Sequence, residues 1–195
     1  LNECEVNMND NLIENILRSC SVENSTVVVH AEDPTICADN TSKQKQLNQS
    51  NPKESNLQKW SDSRPPISES ASISKIANLG RKYNSRLYFA HIGSTIALDA
   101  IIREKERGNF VTYVETCPHY LTHTTEFSSV KGKVVPPLRS KLDLQSMWYG
   151  LRNGIIDTVG TDHVANTLSL KLGKRDLWTA LSGFPGMGTM LPVLL

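Results

Sequence analysis

Three side chains able to bind a metal ion occupy matching positions in this chain. His30 follows the apolar run Val27-Val28-Val29, and His91 follows Leu87-Tyr88-Phe89-Ala90. Asp162 stands just past Gly154-Ile155-Ile156-Asp157-Thr158-Val159. Each run reads as a short buried strand. Two neutral imidazoles and a carboxylate delivered at strand tips are a donor set for a divalent metal, held rigidly enough to set its geometry. A carboxylate at such a centre can also take a proton from an attacking water. His119 and His123 are four apart, but Pro118 and the threonines at 122, 124 and 125 favour a loop there, with His123 at the surface. HExxH, Gly-x-Ser-x-Gly and phosphate-loop patterns are absent from the sequence.

Strands that end in ligands need helices to carry the chain back. Asp10 is placed to cap a helix over 11–20, with Leu12, Ile13, Ile16 and Leu17 on one face. Residues 32–62 turn rich in Asn, Gln, Ser, Lys and Thr, which predicts a functional loop or partial disorder. Arg64-Pro65-Pro66 closes that stretch, and Pro66 suits the first turn of a helix running to Tyr83. Further units follow: a strand over 86–91, a helix over 94–108, a strand over 110–115, an irregular region from 117 to 130, a helix over 142–154 and the strand before Asp162. An apolar helix over 190–195 follows a Gly/Pro loop at 182–188.

Strand and helix alternate, so the fold class is α/β with a parallel sheet, part of a (β/α)8 TIM-type barrel comprising about its last four units. A whole barrel takes about 250 residues, against 195 here. The expected organisation is an upstream segment over 1–26 with one helix, then the C-terminal half of a barrel over 27–195. Half a barrel exposes its flanking strands, so the natural protein is expected to be longer or to pair with another copy of itself.

Lys plus Arg number 21 against 20 for Asp plus Glu, which gives no global charge for nucleic acid or a membrane surface. The basic residues Lys131, Lys133, Arg139 and Lys141 lack interleaved aromatics and read as a solvated loop. No apolar stretch reaches a membrane span. Cys4, Cys20, Cys37 and Cys117 show no zinc-knuckle or disulfide-framework spacing, so reduced thiols in the cytoplasm are expected.

Seven short motifs then occur in order: Val-His-Ala-Glu-Asp (29–33), Arg-Pro-Pro (64–66), Ala-His-Ile-Gly-Ser (90–94), Glu-Thr-Cys-Pro-His-Tyr-Leu (115–121), Pro-Pro-Leu-Arg-Ser (136–140), Gly-Thr-Asp-His (160–163) and Ser-Gly-Phe-Pro-Gly (182–186). This series resembles the cyclic amidohydrolases, nearest to dihydroorotase, with hydantoinase, dihydropyrimidinase and allantoinase as cousins. The resemblance implies a barrel with one or two zinc ions (Zn2+) at its mouth, His30 and His91 as ligands, and Asp162 as ligand and proton shuttle. It implies a small cyclic amide substrate, with interconversion of carbamoyl aspartate and dihydroorotate in pyrimidine biosynthesis as the first reading. Asn166, Phe184 and Pro185 would line the substrate side, in a homo-oligomer.

Three departures accompany the resemblance. The family's first-strand His-x-His and bridging lysine have no counterpart in residues 1–26. Val135 stands where a small polar residue, often asparagine, is usual, and Asn166 stands where a carboxylate-binding histidine is usual. A lost polar partner costs a specific site much of its discrimination. A hydantoinase-like or allantoinase-like enzyme and a non-catalytic scaffold therefore remain alternatives to dihydroorotase.

Overall fold

The computed structural model describes residues 8–50, 57–108, 111–172 and 176–195. Among them four parallel strands lie side by side in chain order: β1 (Thr26–Val29), β2 (Arg86–Phe89), β3 (Thr112–Thr116) and β4 (Thr158–Val159). Helices make every crossover, so the expected α/β fold with a parallel sheet is the observed one. The expected first residue of β3, Phe110, and Cys4 lie outside the described residues.

Alternation along the strands divides the sheet into two faces. Val29, Leu87, Phe89 and Val114 point to the helical side and form the core with Ile73, Ala77, Ala97 and Ile101. On the opposite face Val28 and Tyr113 are open to solvent. Parallel sheets are ordinarily covered on both faces; here the described residues cover one.

The helices follow local chemistry. Helix α1 (Asp10–Val22) is capped by Asn9, one residue before the expected Asp10, through Oδ1 to the Leu12 N–H at 2.9 Å. Asp10 instead pairs with Lys75 on α4 (Pro66–Tyr83). Pro66 does open α4, and the helix ends in a left-handed Asn84 at φ 52°. Helix α5 (Thr95–Glu106) is capped by Ser94, and α7 (Lys141–Arg152) by a capping box of Ser140 and Asp143. Short helices α8 (Leu168–Leu172) and α9 (Met190–Leu194) close the chain.

Four further expectations are corrected. The polar stretch 32–62 forms α2 (Pro34–Ser50) and α3 (Leu57–Ser63), not an extended loop. Asp33 Oδ1 accepts from the N–H groups of Thr35 and Ile36, both at 3.0 Å, and starts α2 at Pro34. Cys37 is buried beneath this helix while most of its other side chains face water, so the apolar period that would betray it is missing. The second correction is α6 (Pro118–Thr122), a helix where a loop is expected, with Pro118 in its first turn. Third, β4 is shorter than the apolar run before Asp162. Ile155 and Ile156 donate to the Gly150 carbonyl instead of to β3, and Asp157 meets Val114 twice, its N–H donating to the Val114 carbonyl at 2.9 Å and its carboxylate accepting the Val114 N–H at 2.8 Å.

The fourth correction concerns the basic cluster. Lys131 and Lys141 are exposed, but Lys133 and Arg139 are each only 3% exposed. Arg139 Nη2 donates to Glu69 Oε1 at 2.6 Å and Nη1 to Ser61 Oγ at 2.8 Å, which ties the segment before α7 to α3 and α4. Lys133 Nζ donates to the Ala180 carbonyl at 2.7 Å and lies 4.3 Å from the Trp60 ring centre. Removing one partner of a buried pair strands the other charge and costs about 3–5 kcal/mol. Arg139→Ala should therefore lower unfolding free energy by about that amount in urea titrations, while Lys131→Ala stays within about 0.5 kcal/mol. Equal effects for the two variants would contradict this assignment.

Candidate metal centre

Parallel pairing sets Val29 opposite Phe89, so the two chains leave the sheet together at its C-terminal edge. One residue past Val29 and two past Phe89, the rings of His30 and His91 meet edge to face, with centroids 4.6 Å apart. His30 Nδ1 and His91 Nε2 are 3.0 Å apart. Two nitrogens about 2.0–2.1 Å from one tetrahedral zinc would stand about 3.3 Å from each other. The observed spacing is close to that edge. Burial and the neighbouring His30 hold His91 well below the ordinary imidazole range, which keeps it a neutral donor. The pair fits a metal ion.

Asp162 lines the same cavity, of about 1110 Å³, as His30 and His91. Both His91 and Asp162 have left-handed backbones, at φ 43° and 42°. Non-glycine residues hold that conformation when their surroundings impose it, and here it turns each side chain at a strand tip. Glu115 supplies part of the constraint. Its Oε1 accepts the His91 N–H at 3.2 Å, its Oε2 accepts the Tyr88 hydroxyl at 2.7 Å, and Tyr88 also meets Thr158 Oγ1 at 2.7 Å. Gly160, two residues before Asp162, packs on that carboxylate: a Cβ there would lie 2.1 Å from Glu115 Oε2. Glu115 thus braces both strand-tip residues from below.

Two further side chains complete the surroundings of His30. Its Nε2 lies 2.8 Å from Glu32 Oε2, and Glu32 is clamped by Arg64. Burial works to raise the Glu32 carboxyl, but the His30 hydrogen bond and the Arg64 charge outweigh it and bring it down to about 2. Neither Glu32 nor Arg64 stands out by residue type in the sequence. The available signals were the i, i+2 spacing of His30 and Glu32 and the Arg before Pro-Pro.

The residues read as substrate-side sit around the loop after Asp162. Asn166 Nδ2 donates to the Ser182 carbonyl at 3.1 Å. Phe184 bridges to His163 and stacks on His119, with ring centres 5.0 Å apart, while Pro185 is exposed. From this loop Ser182 and Gly183 line the cavity, as do Val134 and Val135, whose neighbour Lys133 accepts the Gly183 N–H at 3.0 Å. Val135 precedes a cis proline. Lys171 on α8 fastens the loop by donating to the Gly183 carbonyl at 2.7 Å.

His119 is buried on α6, and burial, with His91 and His123 nearby, pushes it down to about 3, so it too is neutral. His123 is half-buried rather than at the open surface, with its ring against Phe127 and Phe184. Burial raises the Cys117 thiol, helped by the Glu115 and Asp162 charges, so it is no thiolate nucleophile. Among the described residues there is no disulfide and no helix long and apolar enough to cross a membrane. Nor do three His, Cys, Asp or Glu side chains converge closely enough among them to form a complete metal cage.

Two imidazoles and a carboxylate that line one cavity at the C-terminal edge of a parallel α/β sheet stand where (β/α) barrels carry their active sites. No protein-family model matches the chain. It is 37% identical over 135 residues to an allantoinase of Streptomyces avermitilis, covering 68% of this chain and 30% of that protein. It is 31% identical over 192 residues to an L-hydantoinase of Paenarthrobacter aurescens, covering 96% and 41%. It is 38% identical over 135 residues to a dihydroorotase of Ehrlichia canis, covering 67% and 30%. A D-hydantoinase structure from Bacillus sp. AR9 superposes with a TM-score of 0.85 at 26% identity, covering 97% of this chain and 42% of that one. The homologues of this chain are the allantoinases, hydantoinases, dihydropyrimidinases and dihydroorotases, and the chain belongs with them in the amidohydrolase superfamily. It spans 30–41% of the length of these three curated relatives.

Gly160→Ala is expected to drive the Glu115 carboxylate off His91 and Tyr88. In protein of natural length the variant should keep its far-ultraviolet circular dichroism and retain less zinc after gel filtration. Zinc retention equal to the parent's would remove Glu115 from the description of the site.

Proposed function

We propose that this chain is part of a zinc-dependent hydrolase that opens a cyclic amide ring. The observation that carries the reading is the 3.0 Å approach of His30 Nδ1 and His91 Nε2 beside Asp162 in one cavity. A zinc ion bound there would activate water and polarise the ring carbonyl. His30 Nδ1 and His91 Nε2 would hold it. Asp162 is a ligand and also the general base. Its carboxylate takes the proton released as the water oxygen bonds to the carbonyl carbon, and delivers it to the ring nitrogen as the C–N bond breaks.

For the substrate we favour a ring without a carboxylate substituent, of the hydantoin or dihydropyrimidine kind. Arg64 and Lys75, the arginine and lysine lining the cavity among the described residues, are already paired with Glu32 and Asp10. Val135 and the uncharged Asn166 add no cation. Dihydroorotate, the first expectation from sequence, is the second reading, supported by the identity to a dihydroorotase. We further propose a homo-oligomer in the cytoplasm, since β1 ends the described strand order and leaves a backbone edge that another copy could cover.

The test is a panel of hydantoin, dihydrouracil, allantoin and dihydroorotate offered to zinc-loaded protein of natural length. At least one ring should open, hydantoin or dihydrouracil fastest, and Asp162→Asn should lower kcat at least about 100-fold. If no ring opens at a metal-loaded site, the hydrolase reading fails and a binding scaffold takes its place.

A further inference from the structure

We propose that Glu32, clamped by Arg64, is a positioning residue that fixes the His30 tautomer so that Nδ1 presents its lone pair to the metal. The inference rests on the metal-centre reading above and assigns roles to two residues outside the ligand set. Three observations carry it. His30 Nε2 lies 2.8 Å from Glu32 Oε2, on the side of the ring away from His91. Arg64 grips the same carboxylate through Nε at 3.1 and 3.2 Å and through Nη2 at 2.6 Å. The Glu32 and Arg64 side chains are only 2% and 7% exposed, so this is a desolvated, geometrically fixed pair.

The consequence follows from donor and acceptor inventories. A carboxylate that receives a forked guanidinium offers only acceptors, so the neighbouring His30 Nε2 must donate. In a neutral ring the other nitrogen, Nδ1, then bears the lone pair. Without metal, His91 Nε2 donates its proton into that lone pair across 3.0 Å; an ion entering between the two rings would displace it. Carboxylates behind metal-binding histidines act in this way, and losing one weakens metal affinity about 10–100-fold. Arg64 is fixed in turn: its N–H donates to the Ser61 carbonyl at 3.2 Å, and its guanidinium lies 5.8 Å from the Trp60 ring centre. The Arg-Pro-Pro turn that starts α4 is thereby connected to the ligand at the tip of β1.

The test uses protein of natural length and two readouts. Imidazole 15N NMR of metal-free wild type should place the His30 proton on Nε2. Glu32→Gln should populate both tautomers and weaken zinc binding about 10–100-fold, measured against a chromophoric chelator. Glu32→Asp, which keeps the charge but withdraws it from the ring, should weaken zinc binding while retaining the fold. A His30 proton on Nδ1 in metal-free wild type overturns the proposal, and this readout stands even if Glu32→Gln fails to fold. So does zinc affinity within about twofold of wild type in a folded Glu32→Gln, which would leave Glu32–Arg64 a structural pair. Failure of wild type to bind zinc overturns the function proposed above, whereas the tautomer decides the role of Glu32 independently.

Discussion

The structure depends on the parallel register of β1 and β2. Neighbouring strands run about 4.7–4.9 Å apart, and the His30 and His91 rings, just beyond the paired residues Val29 and Phe89, stand 4.6 Å apart. His91 stands one residue further past its strand pair than His30, and its left-handed backbone, φ 43°, accompanies the return of its ring to His30. A one-residue slip of β1 would turn Val29 out of the core, and one of β2 would turn out Leu87 and Phe89, so hydrophobic burial on the helical face holds the register that brings the nitrogens together. Fold stability and site geometry are here the same constraint.

Around that pair the site is built in two supports. Beneath it, Glu115 takes the His91 backbone N–H and packs on Gly160, so β3 sets the height of both left-handed tips. Behind it, Glu32 and Arg64 fix the His30 ring from the start of α4. Both carboxylates point at backbone or side chains of the proposed ligands rather than at open water. Val134, Val135 and Val164 give the same cavity apolar lining beside the two imidazoles.

The strand tips were legible in the sequence because apolar runs ending in His or Asp carry their own signal within a few residues. The α/β alternation and the motif order were legible for the same reason. What was hidden depends on distant partners or on solvent. Helix α2 buries only Cys37 among its described side chains, so no apolar stripe marks it. Arg139 and Lys133 looked like a solvated cluster because Glu69 and the Ala180 carbonyl, which accept from them, lie 70 and 47 residues away. Glu32 and Arg64 are 32 residues apart and become a unit only after α2 and α3 fold back on α4.

Anomalous diffraction at the zinc edge, from zinc-loaded crystals of the natural-length protein, tests the central claim most directly. The account predicts a peak about 2.0–2.1 Å from both His30 Nδ1 and His91 Nε2, with Asp162 turned toward it. Zinc bound elsewhere while the two imidazoles stay hydrogen-bonded to each other, or no zinc at all, would contradict it.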